Sequence, residues 1–173
     1  HTCEGLDIAD NNIVENGVTG TSANCIDFRP MEPVTDKTPL ILEGTTFNFV
    51  DASGNPAATY QIVATEAGSA LNCRQGATVV LPDPVSGATL TYTNSGSTAK
   101  VIARGEDGSE TMAELPRSTT PATVSVAGTD ITKLEVLTPQ NEFFLLELCL
   151  GQGQSLKTTY QPRIVALYAS GGE

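Results

Sequence analysis

Four cysteines, twenty acidic residues and one histidine set the chemistry open to this chain of 173 residues. The cysteines are Cys3, Cys25, Cys73 and Cys149. None stands in a CxxC or comparable spacing, so local sequence assembles no zinc site. An even count in a Thr- and Ser-rich chain predicts two disulfides and an oxidising compartment; four cysteines allow three connectivities. The one histidine, His1, offers an amine and an imidazole to copper, but a histidine brace needs a second His, and the sequence has none. Glu106, Asp107 and Glu110 cluster at an Asp107-Gly108 turn. The acidic spacing of an EF-hand is absent there, and the stretch reads as a solvated hairpin. There is no GxSxG elbow, no P-loop and no cysteine–histidine pair. The chain is read as a non-enzyme.

Net charge and aromatic content narrow the ligand classes. The formal charge is −11 and the pI is near 4.4. A surface of that sign repels nucleic-acid phosphates and anionic lipid, and suits either bound cations or plain solvation. Sugar stacking calls for exposed aromatics. There is no Trp, and the tyrosines are Tyr60, Tyr92, Tyr160 and Tyr168. Tyr92 falls on an inward register of its strand. Tyr60, Tyr160 and Tyr168 stand as candidate ligand-binding residues, each also able to serve as packing, with polar loops supplying the rest of a site.

Strands must position these groups. Ile131 to Leu150 holds two apolar runs, Thr132–Thr138 and Phe143–Leu150, around the turn Pro139-Gln-Asn-Glu142. Period-two spacing places Phe144, Leu146, Leu148 and Leu150 on one face of the second run. Its other face, Phe143, Leu145, Glu147 and Cys149, is largely apolar too, which predicts a central strand covered on both sides. Further strands are expected at Cys25–Phe28, Thr45–Val50, Tyr60–Ala64, Ala77–Leu81, Gly87–Thr93, Thr98–Arg104, Glu110–Leu115 and Thr123–Val126. Thr65–Gly76 reads as a loop carrying Cys73. Strands recurring about every ten residues between turn signals predict an all-β sandwich or jelly roll. The expected organisation is an N-terminal arm over 1–24, a sandwich over 25–150, and an extension over 151–173 with an extra hairpin or edge strand at Leu156–Tyr160 and Arg163–Tyr168. A first residue other than Met fits a mature or trimmed N-terminus and equally a piece excised from a larger exported protein. No apolar run approaches the ~20 residues of a membrane helix.

Five segments carry a resemblance: Cys25-Ile-Asp-Phe28, Ala77-Thr-Val-Val-Leu-Pro82, Val101-Ile-Ala-Arg-Gly-Glu-Asp-Gly108, Val124-Ser-Val-Ala-Gly-Thr-Asp-Ile131 and Glu142-Phe-Phe-Leu-Leu-Glu-Leu-Cys149. Residues 25–150 resemble the jelly-roll β-sandwich domains of bacterial exported and cell-surface proteins, whose relatives include galactose-binding-like and carbohydrate-binding modules. In such folds the first and last strands lie side by side. The resemblance therefore implies Cys25 opposite Cys149 as a disulfide, leaving Cys3 with Cys73, and Asp27 opposite Glu147. Facing carboxylates can hold a cation, and in carbohydrate-binding relatives such a pair often holds structural calcium. Asp27 and Glu147, with Glu43 and Asp7 as further donors, are the implied metal residues, although Glu147 stands where Asp is commoner. The same two acids are weak as a glycosidase pair, having no aromatic platform. The resemblance implies a secreted or cell-surface, non-catalytic module that binds carbohydrate or acts as an adhesin, with polysaccharide, surface glycan or other surface proteins as partners. The alternative is a structural or protein-interaction domain of a bacterial surface assembly.

Overall fold

The computed structural model describes residues 24–152. The N-terminal arm with Cys3 and Asp7, and the stretches at Leu156–Tyr160 and Arg163–Tyr168, lie outside them. The described chain is all β. Its strands are β1 (Asn24–Asp27), β2 (Val34–Lys37), β3 (Leu40–Leu42), β4 (Thr45–Phe49), β5 (Thr59–Thr65), β6 (Gly68–Asn72), β7 (Gly76–Asn94), β8 (Ala99–Gly105), β9 (Glu110–Leu115), β10 (Ser118–Leu137) and β11 (Phe143–Gln152). They form one antiparallel sheet folded over into a β-sandwich.

The fold is made by two strands that serve both halves. The later part of β7 (Val85–Asn94) pairs with β11 and with the early part of β10. The early part of β7 (Ala77–Val80) pairs with β4 and with the late part of β10, which in turn pairs with β8. The first half is thus β2, β5, β6 and β1 beside β11, and the second is β3, β4, β8 and β9, joined through β7 and β10. The sequence divides each long strand in two, β7 at Pro82 and Pro84 and β10 at Ala127-Gly-Thr-Asp130, where the register also shifts, while Pro121 cuts off the start of β10. Pro82 and Pro84 fall where β7 has no ladder partner, between Val80 and Val85, and Pro121 falls in the register shift between Ser118 and Ala122 of β10. A missing N–H costs nothing at such bends.

Alternation explains the core. Ile26, Phe28, Leu90, Tyr92, Leu145 and Leu148 from the first half meet Phe47, Phe49, Val79, Val101, Leu134 and Val136 from the second in one buried cluster. Phe28 packs edge-on against Phe47 across the sandwich, with ring centroids 5.8 Å apart. Tyr92 stacks on Phe143 at 4.9 Å and donates its hydroxyl to the Pro116 carbonyl, so its polar tip is satisfied although the ring is buried.

Two expectations change here. Thr65–Gly76 is not a loop throughout: Gly68–Asn72 forms β6, paired with β5 and β11. The β11 strand is not covered on both faces either. Leu145 pairs with Tyr92 and Glu147 with Thr91, leaving Leu146 as an extra residue, a β-bulge. The bulge resets the alternation. Phe143 and Leu145 point inward before it and Leu148 and Leu150 after it, while Phe144, Glu147 and Cys149 are half-buried on the outer face.

Candidate functional site

The outer face of the first half carries the expected chemistry. There β1 lies antiparallel to β11, pairing Cys25 with Cys149, Ile26 with Leu148 and Asp27 with Glu147. Cys25 and Cys149 form a disulfide across this pair, with Cα atoms 4.0 Å apart. Cys73 does not join the second expected bridge. Its thiol is free, 1% exposed, and donates to the Leu71 carbonyl at 3.9 Å. A bridge to Cys3 would require that residue to enter the core. Burial, against a smaller opposing effect of a backbone hydrogen bond from Leu145, pushes the Cys73 thiol up to about 12, so it stays protonated and unreactive at neutral pH.

Asp27 and Glu147 stand side by side, and a guanidinium joins them. Arg29 Nε and Nη2 donate to the two Asp27 oxygens at 2.7 and 3.0 Å, and Nη2 also donates to Glu147 Oε1 at 3.0 Å. The hydrogen bonds from Arg29 hold the Asp27 carboxyl below the usual aspartate range, against a smaller opposing effect of burial. Like-charge repulsion between the carboxylates is thereby relieved within the protein. These residues fit calcium poorly: its two carboxylates are already engaged by a cation. Glu43 occupies the β3–β4 turn, at a positive φ of 50°. Among the described residues the one cluster of three ligand-type side chains within 4.8 Å is Cys25, Glu147 and Cys149, whose sulfurs are joined to each other.

Arg29 was not foreseen because it lies past the strand end, just before Pro30. Its place is set by close packing. Ser69 N–H donates to the Arg29 carbonyl at 3.2 Å, and a Cβ on Gly68 would lie 3.0 Å from Arg29 Cβ. Gly68 also has φ +109°, so only glycine fits both demands.

The turn that ends at Gly68 forms one wall of a groove of about 570 Å³ on this face. Phe144, Val63, Ala64, Ala67 and Pro121 give it apolar lining; Thr65, Thr93, Ser95, Thr119 and Thr120 add hydroxyls, and Glu66 is its one charged residue. The ladder explains the arrangement. Phe144 pairs with Thr93 on one side and Asn72 on the other. Beyond the groove, Thr91 and Thr89 of β7 hydrogen-bond Thr123 and Ser125 of β10 at 3.3 and 2.8 Å, extending a hydroxyl-covered surface toward the disulfide. Phe144 was missed as a site residue because strict alternation from Leu150 places it inward; the bulge at Leu146 turns it out. The apolar Phe143-Phe-Leu-Leu146 run was the only signal that the phase slips there.

Of the three tyrosines, Tyr160 and Tyr168 lie outside the described residues. Tyr60, on β5 beside Asp36 of β2, is half-buried and packs against the core cluster.

No protein-family model matches the chain, and no curated protein matches it. Among solved structures it is similar to a carbohydrate binding module of family 29, at 11% identity over 62% of this chain and 86% of that one, with a TM-score of 0.37. A mutant of such a module complexed with cellulohexaose aligns at 8% identity over 62% and 92% of the two chains, TM-score 0.40. Another, complexed with mannohexaose, aligns at 7% over 70% and 77%, TM-score 0.34. A likeness this shallow transfers no ligand to this chain.

Proposed function

We propose that the chain is a non-catalytic extracellular module that binds carbohydrate in the Phe144 groove. The observation that carries this reading is the groove's composition: a half-buried aromatic ring and small aliphatic groups beneath, hydroxyls around, and one charge. A sugar ring has the matching character, with C–H patches on its faces and hydroxyls at its edge. Concave sites of ~300–1,000 Å³ with apolar lining and a few placed polar groups are the usual form of small-molecule sites. On this reading the platform among the described residues is Phe144, Tyr60 being packed against the core, while Tyr160 and Tyr168 lie outside those residues. The absence of catalysis is supported by the Asp27–Glu147 pair. Glycoside hydrolysis needs one carboxyl held protonated, whereas Arg29 engages both and pulls Asp27 the other way. The disulfide supports an exported protein.

The test is isothermal titration of the chain with soluble polysaccharides, alongside Phe144→Ala. Saturable binding to one sugar class, lost in the variant while its melting temperature is kept, is the expected result. Wild-type protein that binds none of them sinks the proposal.

One observation favours the alternative of a protein-interaction or structural domain. Ile41, Val80, Met112 and Leu137 are the large exposed hydrophobics of the second half, between 43% and 60% exposed. The register sets them all on that half's outer face, among the ion pairs of Arg104 with Glu110 and Glu135 and of Lys133 with Glu135.

A further inference from the structure

We propose that Gln61 is a ligand-reading residue of this site, its side-chain amide locked by a relay so that it presents N–H groups to a second sugar ring beside the one on Phe144. The inference rests on the carbohydrate reading above and adds to it the extent of the ligand and a specificity residue.

The relay begins in the backbone. After β6 the chain turns with Arg74 at a positive φ of 52°, and this brings the Arg74 N–H onto Asn72 Oδ1 at 2.8 Å. A backbone N–H only donates, so the oxygen of the Asn72 amide must face it and the Nδ2 group must face away. That Nδ2 lies 3.3 Å from Gln61 Oε1. Gln61 must therefore accept at its oxygen, which leaves Nε2 as the outward group. Among the described residues Nε2 has no partner. Asn72 is 5% exposed, so the middle of the relay is sheltered from competing water, whereas Gln61 is half-exposed. The amide is fixed without being used up.

The ladder sets where this donor lies. Ile62 pairs with Leu71, which puts Gln61 beside Asn72, and Asn72 pairs with Phe144. Gln61, Asn72, Phe144 and Thr93 thus form one row across four strands on the outer face. Gln61 and Phe144 are two strand spacings apart, roughly 9.5 Å. That reaches past a single hexose stacked on Phe144. Val63, two residues along β5 on the same face as Gln61, already lines the groove, so the surface between them is continuous. The site then takes at least two linked rings: one on Phe144, and one whose hydroxyl accepts from Gln61 Nε2.

Isothermal titration with glucose, mannose and galactose, and with the gluco-, manno-, galacto- and xylo-configured disaccharides and hexasaccharides, tests this in wild type, Phe144→Ala, Gln61→Ala and Gln61→Glu. Gln61→Glu keeps an oxygen for Asn72 and removes the donor. One net hydrogen bond corresponds to about a three- to tenfold loss of affinity. Both Gln61 variants are expected to lose that much for the bound disaccharide and hexasaccharide and nothing for the monosaccharide; Gln61→Glu keeps the wild-type melting temperature, whereas Gln61→Ala melts lower because it leaves the buried Asn72 Nδ2 without its acceptor. Gln61 variants that bind every ligand like wild type, while Phe144→Ala does not bind, overturn the role of Gln61 and leave the groove standing. Equal loss for monosaccharide and disaccharide overturns the two-ring arrangement. Wild type that binds no sugar removes the carbohydrate reading and this one with it.

Discussion

Replacing Cys25 and Cys149 together by serine tests how the groove is held. β1 is only four residues long, yet Asp27 lies in it and Arg29 follows it. The disulfide closes a loop with a sequence separation of 124 residues. In the chain-entropy treatment a loop of that length removes ~16.5 cal/mol/K from the unfolded ensemble, or ~4.9 kcal/mol at 25 °C. With an unfolding entropy of ~2.1 cal/mol/K per residue over residues 24–152, the melting temperature falls by roughly 18 °C. Both cysteines are half-exposed, so serine brings little desolvation cost of its own. Urea unfolding and calorimetry read the loss directly. It matters for function because Arg29 packs on Gly68, the end of the turn that walls the groove. A loss below ~1 kcal/mol refutes the reasoning, since it means that the unfolded chain gains little freedom when the bridge is removed.

Arg29→Met leaves Asp27 facing Glu147 without a cation. Asp27 is lowered in the fold, so its contribution is fully present above the ordinary aspartate value of about 3.9 and is lost as pH falls through the folded value. The wild type should therefore lose stability on acidification below about pH 4, and the variant should show a flatter acid limb; matching limbs contradict the role of Arg29. The carboxylate and guanidinium are 39% and 40% exposed, so the pair is worth no more than ~1 kcal/mol. Because Arg29 occupies the place between the two acids, calcium should leave the wild-type melting temperature unchanged but raise that of Arg29→Met; a chelator-sensitive wild type would restore a metal. Iodoacetamide at pH 8 should leave Cys73 unmodified by mass spectrometry in the native protein and label it fully in denaturant, and native labelling would show that the thiol is not enclosed.

The pairing of the first and last strands came from the resemblance to jelly rolls, in which those strands are neighbours; with Cys25 set opposite Cys149, a step of two on each strand then placed Asp27 opposite Glu147. The core positions of β4, β7 and β8 were legible because apolar residues recur at every second position: Phe47 and Phe49, Ala88, Leu90 and Tyr92, and Ala99, Val101 and Ala103. What escaped reading has four physical causes. Gly68-Ser-Ala-Leu-Asn72 contains no β-branched or aromatic residue, so its strand character comes from its neighbours β5 and β11. Prolines hid the continuity of β7 because they sit where its ladder lapses, and in β10 the Ala127-Gly-Thr-Asp130 stretch, where the register shifts, did the same. The groove was missed because its aromatic is exposed by a bulge, and alternation carries no information across an inserted residue. The Gln61–Asn72–Arg74 relay depends on a left-handed residue at Arg74, a position where nothing in the residue type announces it.

Amide chemical-shift mapping in ¹⁵N-labelled protein, titrated with the hexasaccharide that binds most tightly, tests the central claim most directly. The account predicts shifts confined to Val63–Ala67, Thr93, Ser95, Thr119, Thr120 and Phe144, with Gln61 at the margin. Shifts that centre instead on Ile41, Val80, Met112 and Leu137, or no shifts at saturating sugar, would contradict it.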